Sequence, residues 1–443
     1  MFAFTTRPLF LNNVSCSQYT PGQQRRHPQD GGNDAPLFEG NLPDRGLKTS
    51  TRAICVEWRD VYTNSIRFSL IEGTASLDRL KMIKLHDLEL EALETLLAAW
   101  GKGLADEGPA GARQVWQWLY QRGATTFDQM TTLPQALRER LAAETTFYTP
   151  PVLARQKAPD GDTRKDLLQL KDGELIEVVL LRYRERRSAC ISTQVGCACG
   201  CPFCATGQMG FVRQLSGEEI IAQVLHMQRE MAIEQRQLSN IVLMGMGEPL
   251  LNYECTLAAI RRLVDPHALD FVQRRITLST VGIAPGIERL AGENLLINLA
   301  ISLHAATDTL RNRLVPINQR YPLDDLFAAM RVYTTRTQRR IMIEWIMING
   351  VNDTHEQAET LVERLAGIPA HVNLIRLNPT PDYDGQPATL AAIDAFAAIL
   401  DRGHIPHTMR QRRGGTIAAG CGQLYSRGRS EPERKRPASR DTI

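Results

Sequence analysis

The chain has 443 residues, a formal net charge of +3, 43% hydrophobic residues and 23% charged residues, a composition that is ordinary for a soluble globular protein. The length allows one large domain with a smaller partner. No apolar run approaches the roughly 18 residues of a membrane span, and the first residues, interrupted by Pro8, lack the apolar region of a secretory signal. We therefore expect a cytoplasmic protein with no membrane partner.

The first 81 residues differ from the rest of the chain. They are rich in Gly, Pro, Asn, Gln and Arg and show no sustained hydrophobic periodicity, whereas Met82 begins the sequence Met-Ile-Lys-Leu-His-Asp-Leu-Glu-Leu, which is a natural start. We expect residues 1–81 to be either the product of a start codon assigned too far upstream or a disordered leader.

Residues 82–150 are predicted to form a small helical domain. Apolar residues recur there at the spacing of one helix face. Two such faces are present. The first consists of Leu93, Leu96, Leu97 and Trp100, and the second consists of Val115, Trp116, Leu119 and Tyr120. A third short helix is expected after Pro134. A module of this size needs a docking surface or a partner.

Residues 151–187 are predicted to form a linking β-hairpin, because two apolar segments flank Lys171-Asp-Gly173, a sequence typical of a tight turn. Strands and helices then alternate from 188 to 424. The predicted strands are Ala189–Thr193, Asn240–Met244, Arg275–Leu278, Leu296–Ser302, Ile341–Ile348 and Val372–Leu377. Six strand–helix units predict a parallel sheet of the α/β class, and an incomplete (βα)6 barrel fits this pattern. Residues 425–443 are predicted to be a basic disordered tail.

Four of the nine cysteines lie in the segment Cys197-Ala-Cys199-Gly-Cys201-Pro-Phe-Cys204. Clustered thiols in a cytosolic protein favour metal or redox chemistry over disulfide bonds. Three of them have C-x3-C-x2-C spacing, which can hold three irons of a cubane cluster and leave the fourth iron open, whereas clusters that only carry electrons take four cysteines. A structural zinc site is the alternative, since Cys199 could supply a fourth ligand.

Polar motifs follow most of the other predicted strands. Gly245-Met-Gly247-Glu248 follows the second strand, Ser279 the third, His304 the fourth and Asn378 the sixth. Functional groups of parallel barrels lie at the C-terminal ends of the strands. We therefore expect these motifs and the cysteine segment to meet at one mouth of the barrel.

Basic residues are concentrated in three runs although the net charge is small. These runs are Arg182 to Arg187, Arg410 to Arg413, and the tail from Arg427 to Arg440. The first two runs are adjacent in sequence to the expected active-site cysteines, which favours contact with phosphates over a merely solvated face.

Taken together, these motifs resemble the RlmN/Cfr family of radical S-adenosylmethionine (SAM) enzymes, which methylate adenosine in RNA. The matching segments occur in the family's order between about Met82 and Leu424, and residues 1–81 match nothing in it. They are Cys190-Ile-Ser-Thr-Gln-Val-Gly-Cys197, Cys204-Ala-Thr-Gly-Gln-Met-Gly-Phe211, Gly245-Met-Gly247-Glu248-Pro249, Ser279-Thr-Val-Gly282, Ser302-Leu-His304 and Gly420-Cys421-Gly422-Gln423-Leu424.

This resemblance implies a radical SAM barrel with a helical accessory domain that binds RNA. It implies a [4Fe–4S] cluster held by Cys197, Cys201 and Cys204, and two SAM molecules consumed per turnover. It further implies that one set of residues binds SAM: Gly247, Glu248, Ser279, Ser302, Leu303, His304 and Asn378.

The resemblance also implies roles for Cys421, Cys190 and Glu177. Carbon 2 of adenine has no lone pair, so its methyl group must arrive as a carbon radical. Cys421 matches the family's methyl-carrying cysteine, and Cys190 matches the thiol that releases the RNA by a transient disulfide, which requires Cα atoms within about 7 Å. Glu177 matches the family's proposed proton acceptor.

The predicted activity is methylation of adenosine C2 in 23S rRNA, in the peptidyl-transferase centre, and beside some tRNA anticodons. A flavodoxin or ferredoxin system is the expected electron donor. The segment Arg376-Leu-Asn-Pro-Thr380 favours the C8-specific branch of the family instead, whereas Arg412-Arg-Gly-Gly-Thr-Ile417 and the helical domain favour C2. A zinc-stabilised RNA-binding protein without catalysis is a further alternative, supported by Cys199.

Removal of residues 1–81 is expected to leave folding and RNA methylation intact, because nothing there has the periodicity of a packed element. The comparison is between the full chain and a chain that starts at Met82, assayed for solubility and methyl transfer. Precipitation or loss of activity in the shorter chain would contradict this expectation.

Overall fold

The computed structural model describes residues 82–100, 108–411 and 413–424. The predicted leader (1–81), the predicted tail (425–443) and Arg412 lie outside the described residues. The chain divides into two units, Met1–Ile83 and Lys84–Ile443, and the account below concerns the second. Among the described residues, no helix is long and apolar enough to cross a membrane.

The strands and helices alternate through most of the chain. The strands are β1 (Ile83–Lys84), β2 (Thr145–Thr146), β3 (Val152–Lys157), β4 (Thr163–Gln169), β5 (Leu175–Arg182), β6 (Arg187–Cys190), β7 (Gln194–Gly196), β8 (Phe211–Gln214), β9 (Asn240–Leu243), β10 (Ile276–Thr280), β11 (Asn298–Ser302), β12 (Ile341–Met347), β13 (Ala370–Arg376) and β14 (His407–Met409). The helices are α1 (Leu90–Ala99), α2 (Gly108–Tyr120), α3 (Gln135–Glu144), α4 (Ala205–Gln208), α5 (Gly217–Ile233), α6 (Tyr253–Val264), α7 (Ala284–Leu290), α8 (Asp308–Leu314), α9 (Leu323–Thr337), α10 (His355–Arg364) and α11 (Leu390–Arg402).

Ten strands form one sheet in the order β14-β13-β12-β11-β10-β9-β6-β5-β4-β3. Strands β6 and β9 to β14 run parallel to one another. Strands β3, β4 and β5 extend the same sheet beyond β6 as an antiparallel meander. The predicted α/β class, the parallel sheet and the hairpin across Lys171-Asp-Gly173 are confirmed. Strand β14 was not predicted, because three residues are too few to show a hydrophobic period.

The parallel strands are apolar because helices cover one side of the sheet and the barrel interior lies on the other. Ile343 and Trp345 of β12 are both fully buried. Helix α5, which follows β8, begins with a capping box whose signature is readable in the sequence Ser216-Gly-Glu-Glu219: the Ser216 hydroxyl accepts from the Glu219 amide, and the Glu219 carboxylate accepts from the Ser216 amide.

One predicted strand ends earlier than expected. The sequence predicts Ala189–Thr193, but β6 ends at Cys190. Beyond that residue the backbone leaves the ladder, and the Thr193 amide donates to the Met246 carbonyl in the loop after β9. Cys190 is therefore the last residue of its strand, and the segment after it is free to form the cysteine loop.

The accessory domain, helices α1 to α3, docks on the barrel through a buried arginine of α6. Arg262 donates to the Tyr120 hydroxyl at 2.8 Å and to the Leu88 carbonyl at 2.8 Å. Its guanidinium also lies 4.2 Å from the centre of the Trp116 ring. The predicted apolar face of α2 therefore packs on the barrel with a cation–π contact at its centre.

A second buried arginine, Arg311 of α8, joins the ends of two barrel strands. Its guanidinium donates to the Leu303 carbonyl at 3.0 Å, to the Ser302 carbonyl at 3.3 Å and to the Val281 carbonyl. The Val281 carbonyl directly follows β10, the Ser302 carbonyl is the last of β11, and the Leu303 carbonyl directly follows β11. Because the arginine is fully buried, its charge is compensated by these dipoles, and the strand ends that carry the predicted site are held in register.

Arg311→Met is expected to reduce the free energy of unfolding by about 3 kcal/mol, because it leaves buried carbonyls without donors. Urea denaturation followed by circular dichroism measures the change. The matched control is Arg331→Met, at an exposed position of α9, which should change stability by less than about 0.5 kcal/mol. Equal effects of the two substitutions would contradict the assigned role of Arg311.

Candidate active site

The cysteine loop begins directly after β6 and is closed by the β7–β8 hairpin. The Cys197 amide donates to the Gly210 carbonyl at 2.8 Å, and the Cys204 amide donates to the Cys201 carbonyl at 3.1 Å. A Cβ atom at Gly207 would lie 2.7 Å from the Cys201 carbonyl oxygen. The loop is thus too tightly folded at Gly207 for any larger residue.

The loop cysteines line a cavity of about 140 Å³ at the C-terminal ends of the strands, here called the upper cavity. Cys197, Cys201 and Cys204 all lie on its wall. In the described part of the chain, no three His, Cys, Asp or Glu side chains converge as the ligands of a single metal ion do. The cysteines of a cubane each bind a different iron, so they need only surround a volume. The positions of Cys197, Cys201 and Cys204 on one wall are therefore compatible with a cluster.

Cys199 lies on the same wall and is 3% exposed. Its thiol hydrogen-bonds to the sulfur of Cys197. The structure therefore gives Cys199 a partner within the loop.

Glu248 also lines the upper cavity, and its conformation depends on Gly247. Gly247 has φ +100°, and a Cβ atom there would lie 2.5 Å from the Gln194 Cβ atom, so only glycine fits. The Glu248 carboxylate accepts from the Leu250 amide at 2.9 Å and from the Val281 amide at 2.7 Å. Burial raises the pKa of Glu248 to about 7, and a cation bound beside it would favour the ionised form.

Two serines and a histidine complete the opposite wall of the upper cavity. The hydroxyls of Ser279 and Ser302 lie 3.4 Å apart. The Nδ1 atom of His304 accepts from the Ile346 amide at 3.1 Å. Burial, followed by the charge of Arg311, lowers the pKa of His304 to about 3. The neutral ring therefore carries its proton on Nε2 and can donate a hydrogen bond to a ligand.

Two of the predicted SAM ligands have side chains away from the wall of the upper cavity. The Leu303 side chain is fully buried in the apolar core, and its carbonyl accepts from Arg311. Asn378 donates to the Cys421 carbonyl at 3.1 Å and lines a different cavity. Their assignment to SAM stays a prediction.

A larger cavity of about 730 Å³ occupies the other half of the barrel, nearer the N-terminal ends of the strands, and is here called the lower cavity. Its wall includes Cys190, Cys421 and the strand-starting residues Asn240 and Asn298. Cys421 also lines the upper cavity, whereas Cys190 does not. The two predicted catalytic thiols thus share the lower cavity, and one of them lies at the junction of both.

The loop that carries Cys421 is bound to the cysteine loop. The Ala205 amide donates to the Gly422 carbonyl at 2.7 Å, and the Thr206 hydroxyl donates to the Leu424 carbonyl at 2.7 Å. Because the contacts are made by the residues next to Cys421, they fix its distance from the loop that holds Cys204.

The two thiols influence each other electrostatically. Burial, and then the nearby Cys421, raises the pKa of Cys190 to about 12. Cys421 is an exposed residue, but partial loss of water raises the pKa of its thiol, opposed by the charge of Arg410. Both sulfurs are therefore protonated at neutral pH, and a base or a cation is needed to activate them. That they approach to disulfide distance remains a prediction.

Glu177 lies on β5 next to the barrel and does not line either cavity in the described part of the chain. Its carboxylate forms an ion pair with Lys165 at 2.7 Å. Lys165 also donates to the Ala418 carbonyl at 3.1 Å, three residues before Cys421. The structure thus connects Glu177 to the Cys421 loop through a lysine that the sequence reasoning missed.

Glu344 is a second residue that the sequence reasoning missed. It lies in the middle of β12, lines the upper cavity and is 4% exposed. Burial raises its pKa, and its carboxylate accepts from Asn373 at 2.9 Å and pairs with Arg410 at 3.4 Å. A carboxylate inside an apolar strand is costly without a role or partner. Glu177 and Glu344 both lie in apolar strands, so this pattern in the sequence could have indicated Glu344 as well.

Comparison with known proteins agrees with this geometry. The profile of the Radical SAM superfamily matches residues 191–364. The profile described as the ribosomal RNA large subunit methyltransferase N-terminal domain matches residues 83–146. The dual-specificity RNA methyltransferase RlmN 1 of Myxococcus xanthus is 48% identical, covering 80% of this chain and 98% of the relative. The chain belongs to the RlmN family of radical SAM RNA methyltransferases.

Further relatives of the RlmN family support the assignment. The probable dual-specificity RNA methyltransferase RlmN of Moorella thermoacetica is 47% identical over 77% of this chain and 97% of its own length. A crystal structure of a radical SAM methyltransferase from Sphaerobacter thermophilus is 45% identical, covers 77% of this chain and 99% of its own, and superposes with a TM-score of 0.74. The predicted enzyme class and barrel are confirmed.

Enzymes of the RlmN family use a [4Fe–4S] cluster and SAM, and residues on the wall of the upper cavity have the chemistry to bind both. Cys197, Cys201 and Cys204 are among them, and a cubane held by three cysteines has one iron without a protein ligand. Glu248 offers a buried carboxylate for the SAM ammonium group, and His304 offers a ring N–H. The individual assignments of Cys197, Cys201, Cys204, Glu248 and His304 remain proposals.

Cys197→Ala, Cys201→Ala and Cys204→Ala are each expected to abolish cluster binding. Cys199→Ala is the matched control and should retain it, because it lies outside the C-x3-C-x2-C spacing. Iron content and the visible absorption of anaerobically reconstituted protein are the measurements. The assignment would be overturned if the Cys199 variant lost iron while any of the other three variants retained it. Zinc without iron in the wild-type protein would favour the zinc alternative.

Proposed function

We propose that this enzyme methylates C2 of adenosine in 23S rRNA and of the adenosine next to the anticodon in some tRNAs, through an S-methylcysteine at Cys421. The observation that carries the proposal is the position of Cys421 on the walls of both cavities, with Cys190 on the lower cavity alone. A carrier must reach the methyl donor and the acceptor, whereas a releasing thiol needs to reach only the carrier.

The upper cavity has the residues for cofactor binding and the lower cavity has the size and polarity for a nucleotide. When bound, the cluster and SAM supply the first methyl group and the carbon radical. Glu248, Ser279, Ser302 and His304 orient the SAM molecule, and the loop contacts at Gly422 hold Cys421 within reach of it. Arg410, beside Cys421, favours the thiolate that accepts the first methyl group.

Release of the RNA requires a balanced exchange at sulfur. Addition of the methylene radical to adenine C2 leaves one unpaired electron on the ring. This electron passes to a one-electron acceptor of the iron–sulfur or flavin class, and C2 loses its proton, so that a closed-shell adduct joins Cys421 to C2. The Cys190 thiolate then attacks the Cys421 sulfur. The S–S bond forms and the S–C bond breaks, with its electron pair leaving on the methylene carbon, which gains a proton and becomes a methyl group. An external thiol or reductase then reduces the disulfide.

Glu177 is the proposed acceptor of the C2 proton. It does not line the lower cavity in the described residues, but Val179 and Cys190, which pair across β5 and β6, do. Glu177 lies two residues before Val179 and so on the same face of β5. Its ion pair with Lys165, which also bonds the Ala418 carbonyl, couples this carboxylate to the Cys421 loop.

The RNA substrates are proposed from the relatives. These relatives are named dual-specificity RNA methyltransferases, and the N-terminal family is that of a ribosomal RNA large subunit methyltransferase. The names support two RNA substrates, one of them the large-subunit rRNA. The peptidyl-transferase centre of 23S rRNA and tRNA are proposed as the two targets. A flavodoxin or ferredoxin system is proposed as the electron donor.

Mass spectrometry of nucleosides from rRNA and tRNA tests this proposal. RNA is taken from cells that lack the gene, regain it, or regain the Cys421→Ala variant, with C2- and C8-methyladenosine as standards. C2-methyladenosine should return in both RNAs only with the wild type. Exclusive C8-methyladenosine would replace the proposal with the C8 activity, and no methyladenosine in tRNA would remove the second substrate.

Cys190→Ala and Cys421→Ala are expected to fail differently, because carriage of the methyl group precedes release. Cys421→Ala has no sulfur to carry it, so neither product nor protein–RNA adduct should form. Cys190→Ala should accumulate covalently bound to RNA and shift on a denaturing gel until nuclease treatment. The double variant should behave as Cys421→Ala does. Normal turnover by Cys190→Ala, or an adduct in Cys421→Ala, would contradict these roles.

A further inference from the structure

The lower cavity continues into two further depressions on the protein surface. The first, here called the collar, shares Tyr183, Arg186, Asn240 and Arg413 with the lower cavity. The second, here called the groove, has a volume of about 620 Å³ and shares Ser239 and Arg275 with the collar. Its far end is lined by Tyr120 and Gln121 of the accessory domain. One path therefore leads from Cys421 to the accessory domain.

The collar carries positive charge that no described carboxylate neutralises. Arg184, Arg186 and Arg275 are exposed, and in the described part of the chain none of them forms an ion pair. Neighbouring arginines are different, since Arg182 pairs with Glu234 and Arg413 pairs with Asp162. One acidic residue, Glu185, also lines the collar. The excess of cations at this point indicates an anionic ligand.

The turn that forms the collar is held by contacts within the protein. The guanidinium of Arg186 lies 4.1 Å from the centre of the Tyr183 ring, and the Tyr183 amide donates to the Arg186 carbonyl at 2.9 Å. Arg187 donates to the Tyr183 carbonyl at 3.1 Å. This turn therefore presents Arg186 in one orientation, which reduces the entropy cost when it binds a phosphate or stacks on a base.

The groove beyond the collar has the chemistry of a nucleic-acid contact. Besides Arg236 and Arg275, its wall carries the amides of Gln121, Gln228 and Gln235, which can donate to and accept from sugars and base edges. A single acidic residue, Asp270, is on this wall. A single-stranded nucleic acid is bound by such a combination of cations, planar groups and adaptable polar side chains.

We infer that the collar and groove bind the RNA strand adjacent to the target adenosine, with Arg184, Arg186 and Arg275 on its phosphates. The inference rests on the proposed function, because it assumes that the adenosine enters the lower cavity. It assigns a route to the RNA: from the catalytic thiols, past the Tyr183 turn, to the accessory domain. Phosphate contacts of this kind fix position without reading sequence.

The test is RNA binding by the reconstituted full-length enzyme, using a fluorescent transcript of the peptidyl-transferase region of 23S rRNA at several salt concentrations. The variant is Arg184→Gln with Arg186→Gln. Each phosphate that the variant no longer neutralises should reduce the slope of log affinity against log salt by about 0.7, and affinity near 0.15 M salt should fall about tenfold. A scrambled transcript should show the same fall in affinity, because these arginines bind phosphates.

The matched control is Arg331→Gln with Arg336→Gln, which removes the same charge from exposed positions of α9. Its salt slope should equal that of the wild type. Iron content and thermal unfolding verify that both variants are folded. An unchanged slope in the collar variant, or an equal reduction in the control, would overturn the inference.

These results can be separated from those that test the proposed function. If the wild type binds the transcript and the collar variant has the reduced slope, the route is supported even if no C2-methyladenosine is found. If the wild type makes C2-methyladenosine and the collar variant binds RNA as well as the wild type does, the proposed function stands and the route is wrong.

Discussion

The proposed chemistry of this enzyme depends on the contact between two loops. The Gly422 and Leu424 carbonyls accept from Ala205 and Thr206, at the end of the segment that carries the proposed cluster cysteines. In the proposed function, the Cys421 sulfur takes a methyl group in one cavity and gives it up in another, so it must lie at their boundary. These hydrogen bonds hold Cys421 at that boundary, although it comes from the far end of the sequence.

The barrel interior around this boundary is built from buried polar groups that are each held by hydrogen bonds. Glu248 is bound by two backbone amides, Glu344 by Asn373 and Arg410, and His304 by the Ile346 amide. Buried groups without partners would cost several kcal/mol. Held in this way, they form a preorganised polar lining for a bound ligand.

Much of the fold follows from the sequence because it depends on local patterns. The apolar strands of the barrel, the face of α2 that includes Trp116, and the capping box at Ser216 all have short-range signatures, and the structure confirms them. The cysteine spacing likewise identified the loop that lines the upper cavity. The hydrogen bond from Asn378 to the Cys421 carbonyl and the pairing of Glu177 with Lys165 are side-chain contacts between distant elements. No spacing along the chain encodes those contacts.

The central claim is that Cys421 carries the methyl group, and peptide mass spectrometry tests it most directly. The reconstituted enzyme is incubated with SAM and reductant in the absence of RNA, then digested, and its cysteine peptides are measured. The account predicts one added methyl group on the Cys421 peptide and none on the Cys190 peptide. A methyl group on Cys190, or unmodified Cys421 in an enzyme that methylates RNA when RNA is added, would contradict it.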